Sequence, residues 1–361
     1  TNYPGGNGWE AGLVKLDKND GNILWERAFG SYFYTHGGYG FEWIPTGRSD
    51  EGIGLATDNE GFIYMAGYTQ SGPGEAYFEV GGPAIIGAND AFISKIDPDN
   101  GNLLWAETIN ITNDYKVTRA EAVAASEFDD SVYIVGYNTA PDDILQLETD
   151  AFVAKFSSLG DHEWTKNYIT DSSDYATSIE IDSEGNSYIV GFSETGENYT
   201  LFLNKLDQEG TLLWTTTRER EDSGYLRPYD LVLSDDLVIV TGASTRNIFV
   251  DAFLTSTGEH INTVLKGTDV GGIDGGSNVY ASSIDIGHEN SLIITGTTYG
   301  DLDGEYHHDL RDVFVSEFSL DSLVGSNFNI DDSSDIVDEI EDDAEEDDDS
   351  SDIVDEIEDD A

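Results

Sequence analysis

Cysteine is absent from this 361-residue chain, methionine occurs once, at Met65, and there are only 7 prolines. The missing thiols exclude disulfides, thiolate nucleophiles, cysteine-ligated zinc and iron–sulfur clusters together. Bases are scarce as well: 16 Lys+Arg stand against 73 Asp+Glu, a formal charge of −57. No basic stripe offsets that field, which excludes nucleic acid as a partner and disfavours anionic membrane surfaces. No apolar run approaches the roughly 20 residues of a spanning helix, so membrane insertion is not expected. The opening Thr1-Asn2-Tyr3-Pro4-Gly5-Gly6 has neither an initiator Met nor the charged-then-apolar layout of a signal segment. The chain reads as a processed product or a fragment, part of a larger polypeptide.

Long amphipathic helical patterns are also missing from the body. In their place stands a repeat of about 50 residues. Four copies carry Lys and Trp in phase: Lys15 with Trp25, Lys95 with Trp105, Lys155 with Trp164 and Lys205 with Trp214. Two further copies, IFVDAFLTSTG from Ile248 and DVFVSEFSLDS from Asp312, put Ala252 and Glu317 in place of Lys. Between them lie five strand-like segments that end in Gly: FIYMAGYT at Gly67, SVYIVGYN at Gly136, SYIVGFS at Gly191, LVIVTGAS at Gly242 and SLIITGTT at Gly296. Alternating apolar, β-branched and aromatic residues predict strands, and the Asp/Asn/Gly clusters between them predict hairpin turns. Each Lys is expected on a solvated position or beside an acid, and each Trp between neighbouring units.

Four short antiparallel strands per unit, repeated along the chain, make the blades of a β-propeller: a lone sheet cannot bury both faces, so neighbours must stack. The fold class is therefore all-β, with five near-complete blades and a partial sixth, because the Gly-ended half has one copy fewer than the other. The phrase DAFVAKFSSLGDHEW, continued by YATSIEIDSEGNSYIVGFSETG, resembles the bacterial β-propeller repeat family called SBBP. The resemblance spans roughly residues 9 to 320. It implies the architecture and a setting in large secreted or surface proteins, and is nearly silent on activity.

Two domains are expected, a propeller over 1–330 and an acidic tail over 331–361. The tail holds DDSSDIVDEIEDDA twice, at 331–344 and 348–361, and carries 19 of the 73 acids with no base. With so little apolar content it is expected to be disordered, a spacer in the first instance. The body keeps 54 acids against 16 bases. Such a surface suits salty surroundings that screen self-repulsion, which points to an extracellular or cell-surface location.

The short turns, such as DNEG and DPDNGN, fall on one end of the blades, and the long insertions fall on the other. Binding residues sit preferentially on long loops carried by a rigid scaffold. The segment GSYFYTHGGYGFEWIPTGRSD is dense in aromatics, and Tyr34, His36, Trp43 and Arg48 are the candidate ligand contacts. A carbohydrate or protein ligand fits such a patch, and packing of the loop onto the blades is the competing reading. Asp301, Asp303 and Asp309 are candidate calcium ligands, although the full loop of a helix-flanked calcium site is missing. Calcium is the one cofactor suggested. No G-x-S-x-G elbow, H-E-x-x-H pair or phosphate-cradling loop is present. The expected role is a binding module, with a structural spacer and a propeller glycosidase or lyase as the alternatives.

Overall fold

The computed structural model describes residues 11–29, 32–37, 40–45, 50–69, 76–77, 90–109, 117–139, 149–168, 170–196, 198–219, 225–234, 236–244, 247–267, 279–288, 291–298, 312–320 and 323. For 32–37, 40–45 and 76–77 only the backbone pairing is described. Arg48, Asp301, Asp303, Asp309 and the tail 331–361 lie outside the described residues.

The chain folds as a five-bladed β-propeller with a two-stranded half-blade at its start. The half-blade pairs β1 (Ala11–Leu16) with β2 (Ile23–Phe29). A hairpin of β3 (Tyr32–Gly37) and β4 (Gly40–Pro45) follows. The first blade holds β5 (Asp50–Thr57), β6 (Ile63–Thr69), β8 (Asp90–Ile96) and β9 (Leu103–Ile109), with the short β7 (Ala76–Tyr77) between β6 and β8. The second holds β10 (Val117–Ala125), β11 (Val132–Thr139), β12 (Thr149–Phe156) and β13 (His162–Tyr168). The third holds β14 (Ser173–Ile181), β15 (Ser187–Thr195), β16 (Asn198–Leu206) and β17 (Leu212–Arg218). The fourth holds β18 (Leu226–Ser234), β19 (Leu237–Ser244), β20 (Asn247–Leu254) and β21 (His260–Gly267). The fifth has three strands among the described residues: β22 (Val279–Ile286), β23 (Ser291–Thr298) and β24 (Asp312–Ser319).

Within each blade the strands pair antiparallel in chain order, and the first strands of successive blades pack on one another, so they are innermost. Between blades lie continuous apolar layers. Ala91 and Ile93 of the first blade, for example, share one cluster with Val132, Ile134, Phe152, Ala154 and Phe156 of the second. Burying an Ile, Val or Phe side chain contributes about 1.5–3 kcal/mol, and stacking is how both faces of a blade obtain it.

The tight turns follow the Asp chemistry of the sequence. Asp182 Oδ1 accepts from the backbone N–H of Glu184 and Asn186 at 3.0 and 2.8 Å, and Asp97 and Asp207 act alike in their turns. Each of the four repeat tryptophans then reaches across to the next blade. Nε1 of Trp25, Trp105, Trp164 and Trp214 donates to the carbonyl of Pro98, Ser158, Gln208 and Thr255, at 3.0 to 3.2 Å. Where the fourth blade has Asn262 instead of Trp, its Nδ2 donates to the Leu323 carbonyl at 2.9 Å, so the latch persists without the ring.

Three of the repeat lysines lie beside acids, Lys95 and Lys155 buried and Lys205 half-buried, while Lys15 donates to the Pro98 carbonyl. Lys95, Lys155 and Lys205 lie 3.2, 2.7 and 3.5 Å from Asp58, Asp129 and Asp182. Each also sits over a buried tyrosine ring, Tyr64, Tyr133 or Tyr188. In the fourth blade Ile239 faces Ala252, so tyrosine and lysine disappear together.

Candidate functional site at the mouth of the central channel

In every inner strand the pairing slips at the same place, leaving Ile53, Glu121, Thr177, Tyr229 and Ser282 without a ladder partner. Such a bulge bends the strand and re-aims side chains. All five of these residues line a central channel of about 1080 Å³. Opposite each bulge stands the repeat glycine. A Cβ on Gly67, Gly136, Gly191, Gly242 or Gly296 would come within 1.8–2.1 Å of the carbonyl oxygen of Glu51, Arg119, Tyr175, Arg227 or Tyr280, respectively. The glycine is therefore required by close backbone approach, not by its dihedral freedom.

Those five residues pair with the residue that follows each glycine, and of these ten Tyr137, Tyr175, Phe192, Arg227, Tyr280 and Thr297 line the channel as its rim on the side of the long connections. The pairs are Glu51 with Tyr68, Arg119 with Tyr137, Tyr175 with Phe192, Arg227 with Ala243, and Tyr280 with Thr297. The rim is aromatic and cationic in an acidic chain. The Arg119 guanidinium lies 5.2 Å from the Tyr68 ring and forms ion pairs with Glu51 at 3.1 Å and Glu121 at 2.9 Å. Tyr137 meets Tyr175 edge-on at 4.9 Å, and Tyr175 stacks on Phe192 at 4.8 Å. Arg227 lies over Phe192 at 5.1 Å and over Tyr199 at 4.6 Å, with Nη2 donating to Tyr199 Oη at 3.1 Å. Tyr199 in turn donates to Glu194 at 2.9 Å. The described ion pairs give Arg119 two carboxylates and Arg227 none. Burial raises the phenol pKa of Tyr137 and Tyr229, so both remain O–H donors.

Below the rim the channel turns acidic. Burial, reinforced by Asp230 and Asp285, lifts the Glu180 carboxyl from 4.5 to about 7. Asp230 is fully engaged: it accepts from Ser178 Oγ, the Leu231 N–H, Ser283 Oγ and the Ile284 N–H at 2.7 to 3.0 Å, which joins the third, fourth and fifth blades.

The aromatic segment expected as a loop is in part a hairpin. Tyr34 pairs with Trp43 and His36 with Phe41, because the alternation of the segment supports a ladder across its glycine turn. Its first strand pairs with β7, Tyr32 to Tyr77 and Phe33 to Ala76, which brings two of the long connections to one end of the blades. Among the described residues no group of three or more His, Asp or Glu is arranged to hold a metal ion. The rim residues were not among the sequence candidates. Their signal was the position after each strand glycine and the position facing it across the ladder.

Comparison with known proteins agrees with this architecture. Residues 46–75, which include β5 and β6, match the family described as Beta-propeller repeat, SBBP. The chain carries an SBBP repeat. No curated protein matches it. Among solved structures it is similar to the Dos1 propeller, with 14% identity, 86% of this chain and 62% of that one covered, and a TM-score of 0.46. It is also similar to a GH43 beta 1,3 galactosidase with galactodeoxynojirimycin, at 11% identity, 85% and 94% coverage and a TM-score of 0.42. A third is a quinohemoprotein alcohol dehydrogenase from Pseudomonas putida HK5, at 10% identity, 81% and 52% coverage and a TM-score of 0.41. The chain spans less than two thirds of the Dos1 chain. Likeness at this level carries no information about activity.

Proposed function

We propose that this propeller is a carbohydrate-binding module that takes its ligand at the long-connection rim of the central channel. The observation that supports this most directly is the run Tyr137, Tyr175, Phe192, Tyr199 with Arg227 laid across its end. Aromatic rings offer flat apolar faces to a sugar ring, while phenol and guanidinium hydrogens suit its hydroxyls. A secreted or surface location goes with this reading, since the acidic body is at ease in salt and SBBP-type repeats imply such settings.

A glycan array probed with the whole chain, followed by calorimetric titration of the best oligosaccharide, tests the proposal. Arg227→Ala and Tyr175→Ala are expected to weaken binding at least tenfold, about 1.4 kcal/mol, measured below the melting temperature of each variant. Full affinity in both variants would contradict it. Loss on Trp43→Ala or Tyr34→Ala instead would move the site to the hairpin. Calcium is a separate proposal: the melting temperature of the whole chain is expected to rise in calcium relative to chelator and to lose that rise in Asp301→Asn/Asp303→Asn. Equal melting in calcium and chelator would remove it.

A further inference from the structure

Blade-to-blade packing repeats residue by residue in this protein. On the third strand of each blade, the residues four and two positions before the Lys site face the next blade. These are Ala91 and Ile93, Ala151 and Val153, Leu201 and Leu203, and Ile248 and Val250, none more than 5% exposed. The residues flanking the Lys site form the opposite side, against the preceding blade. These are Ser94 and Ile96, Ala154 and Phe156, Asn204 and Leu206, and Asp251 and Phe253, none more than 7% exposed.

Both patterns break only at the two ends of the array. At the forward positions of β24 stand Val313 and Val315, 78% and 66% exposed. At the rearward positions of β1 stand Val14 and Leu16, 50% and 54% exposed. The half-blade's forward side is ordinary: Ala11 and Leu13 are buried against Phe92 and Ile96. Its turn tells the same story. A Cβ added at Gly101, Gly160 or Gly258 would lie within 3.0 Å of the preceding blade's Trp ring, and one at Gly210 within 3.1 Å, whereas one at Gly21 would meet nothing within 4 Å.

We propose that these two uncovered faces are the two halves of one more blade interface, formed between copies of this chain. The Val313/Val315 face of one copy seats on the Val14/Leu16 face of the next. Each face has the position and apolar character of the interior interface it continues. Among the described residues neither face is covered, and the two do not cover each other. The contact is head-to-tail, and repeats from copy to copy unless the rotation closes. The net charge opposes it, so salt promotes it.

Sedimentation velocity of the full chain over a hundredfold range of concentration, at about 0.1 and about 1 M NaCl, reads the outcome directly. The mean mass is expected to rise with concentration and to rise further at high salt. Val14→Asp and Val315→Asp are each expected to be monomeric alone, yet to form a 1:1 dimer when mixed, because each keeps one intact face. Leu16→Asp and Val313→Asp provide an independent pair should either variant melt below the wild type. A wild type that stays monomeric at every concentration in both salts overturns the proposal. Association that survives all four substitutions, or mixtures that stay monomeric, would overturn it equally.

Discussion

At Gly191 the nearest atoms to an added Cβ are Tyr175 O at 2.1 Å and Phe202 Cζ at 2.3 Å, with no room in the bulged backbone to yield. Gly191→Ala is therefore expected to destabilise the fold by at least about 2 kcal/mol in urea titration, far more than a strand Gly→Ala change where nothing lies close. Glu180 sets a pH dependence in the other direction. Its carboxyl binds its proton more tightly in the folded state than unfolded, so stability falls as pH rises from 4.5 through about 7. Glu180→Gln should remove that fall, raising the melting temperature at pH 8 clearly more than at pH 4. An equal change at both would show that the group is not buried as described. The repeat glycines were legible as strand ends, yet their partners were not. A bulge is invisible to simple alternation, so Glu51, Arg119, Tyr175, Arg227 and Tyr280 read as ordinary strand positions.

Between elements, a latch runs from each outer strand to the next blade's turn. The expected effect of Trp164→Ala is a loss of about 3–5 kcal/mol, since it removes both the ring over Gly210 and the bond to the Gln208 carbonyl. Asn262→Ala, which removes the bond to Leu323 alone, should cost about 1 kcal/mol. Equal losses in chemical denaturation would mean that the ring contributes nothing. The acid–lysine pairs add a pH signature. Burial alone would raise Asp129, but hydrogen bonds from Lys155, Ser131 and Ser126 outweigh it and hold the carboxylate below its ordinary value. That stability is present above the ordinary carboxylate range and is lost as pH falls through the lowered value, below about 4. Lys155→Met/Asp129→Asn should flatten the acid limb of the stability curve. The Trp and Lys periodicity and the Asp-Gly turns announced these contacts in the sequence. The partners did not show there, because they lie one blade away, as Trp25 does from Pro98 and Trp214 from Thr255.

For the molecule as a whole, repetition announced the propeller, and the uneven loop lengths put the long connections at one end of the blades. The pairing of β3 with β7 shows two long connections meeting at that end. What stayed hidden was the candidate site: its residues come from three blades and lie tens of positions apart in the chain, Tyr137 from the second, Tyr175 and Tyr199 from the third and Arg227 from the fourth. Hydroxyl-radical footprinting of the whole chain, with and without the best oligosaccharide from the array, tests the location most directly. Protection confined to Tyr137, Tyr175 and Tyr199 is the predicted result. Protection on the outer blade surface, for example at Leu159, with the channel rim unchanged, would contradict the account.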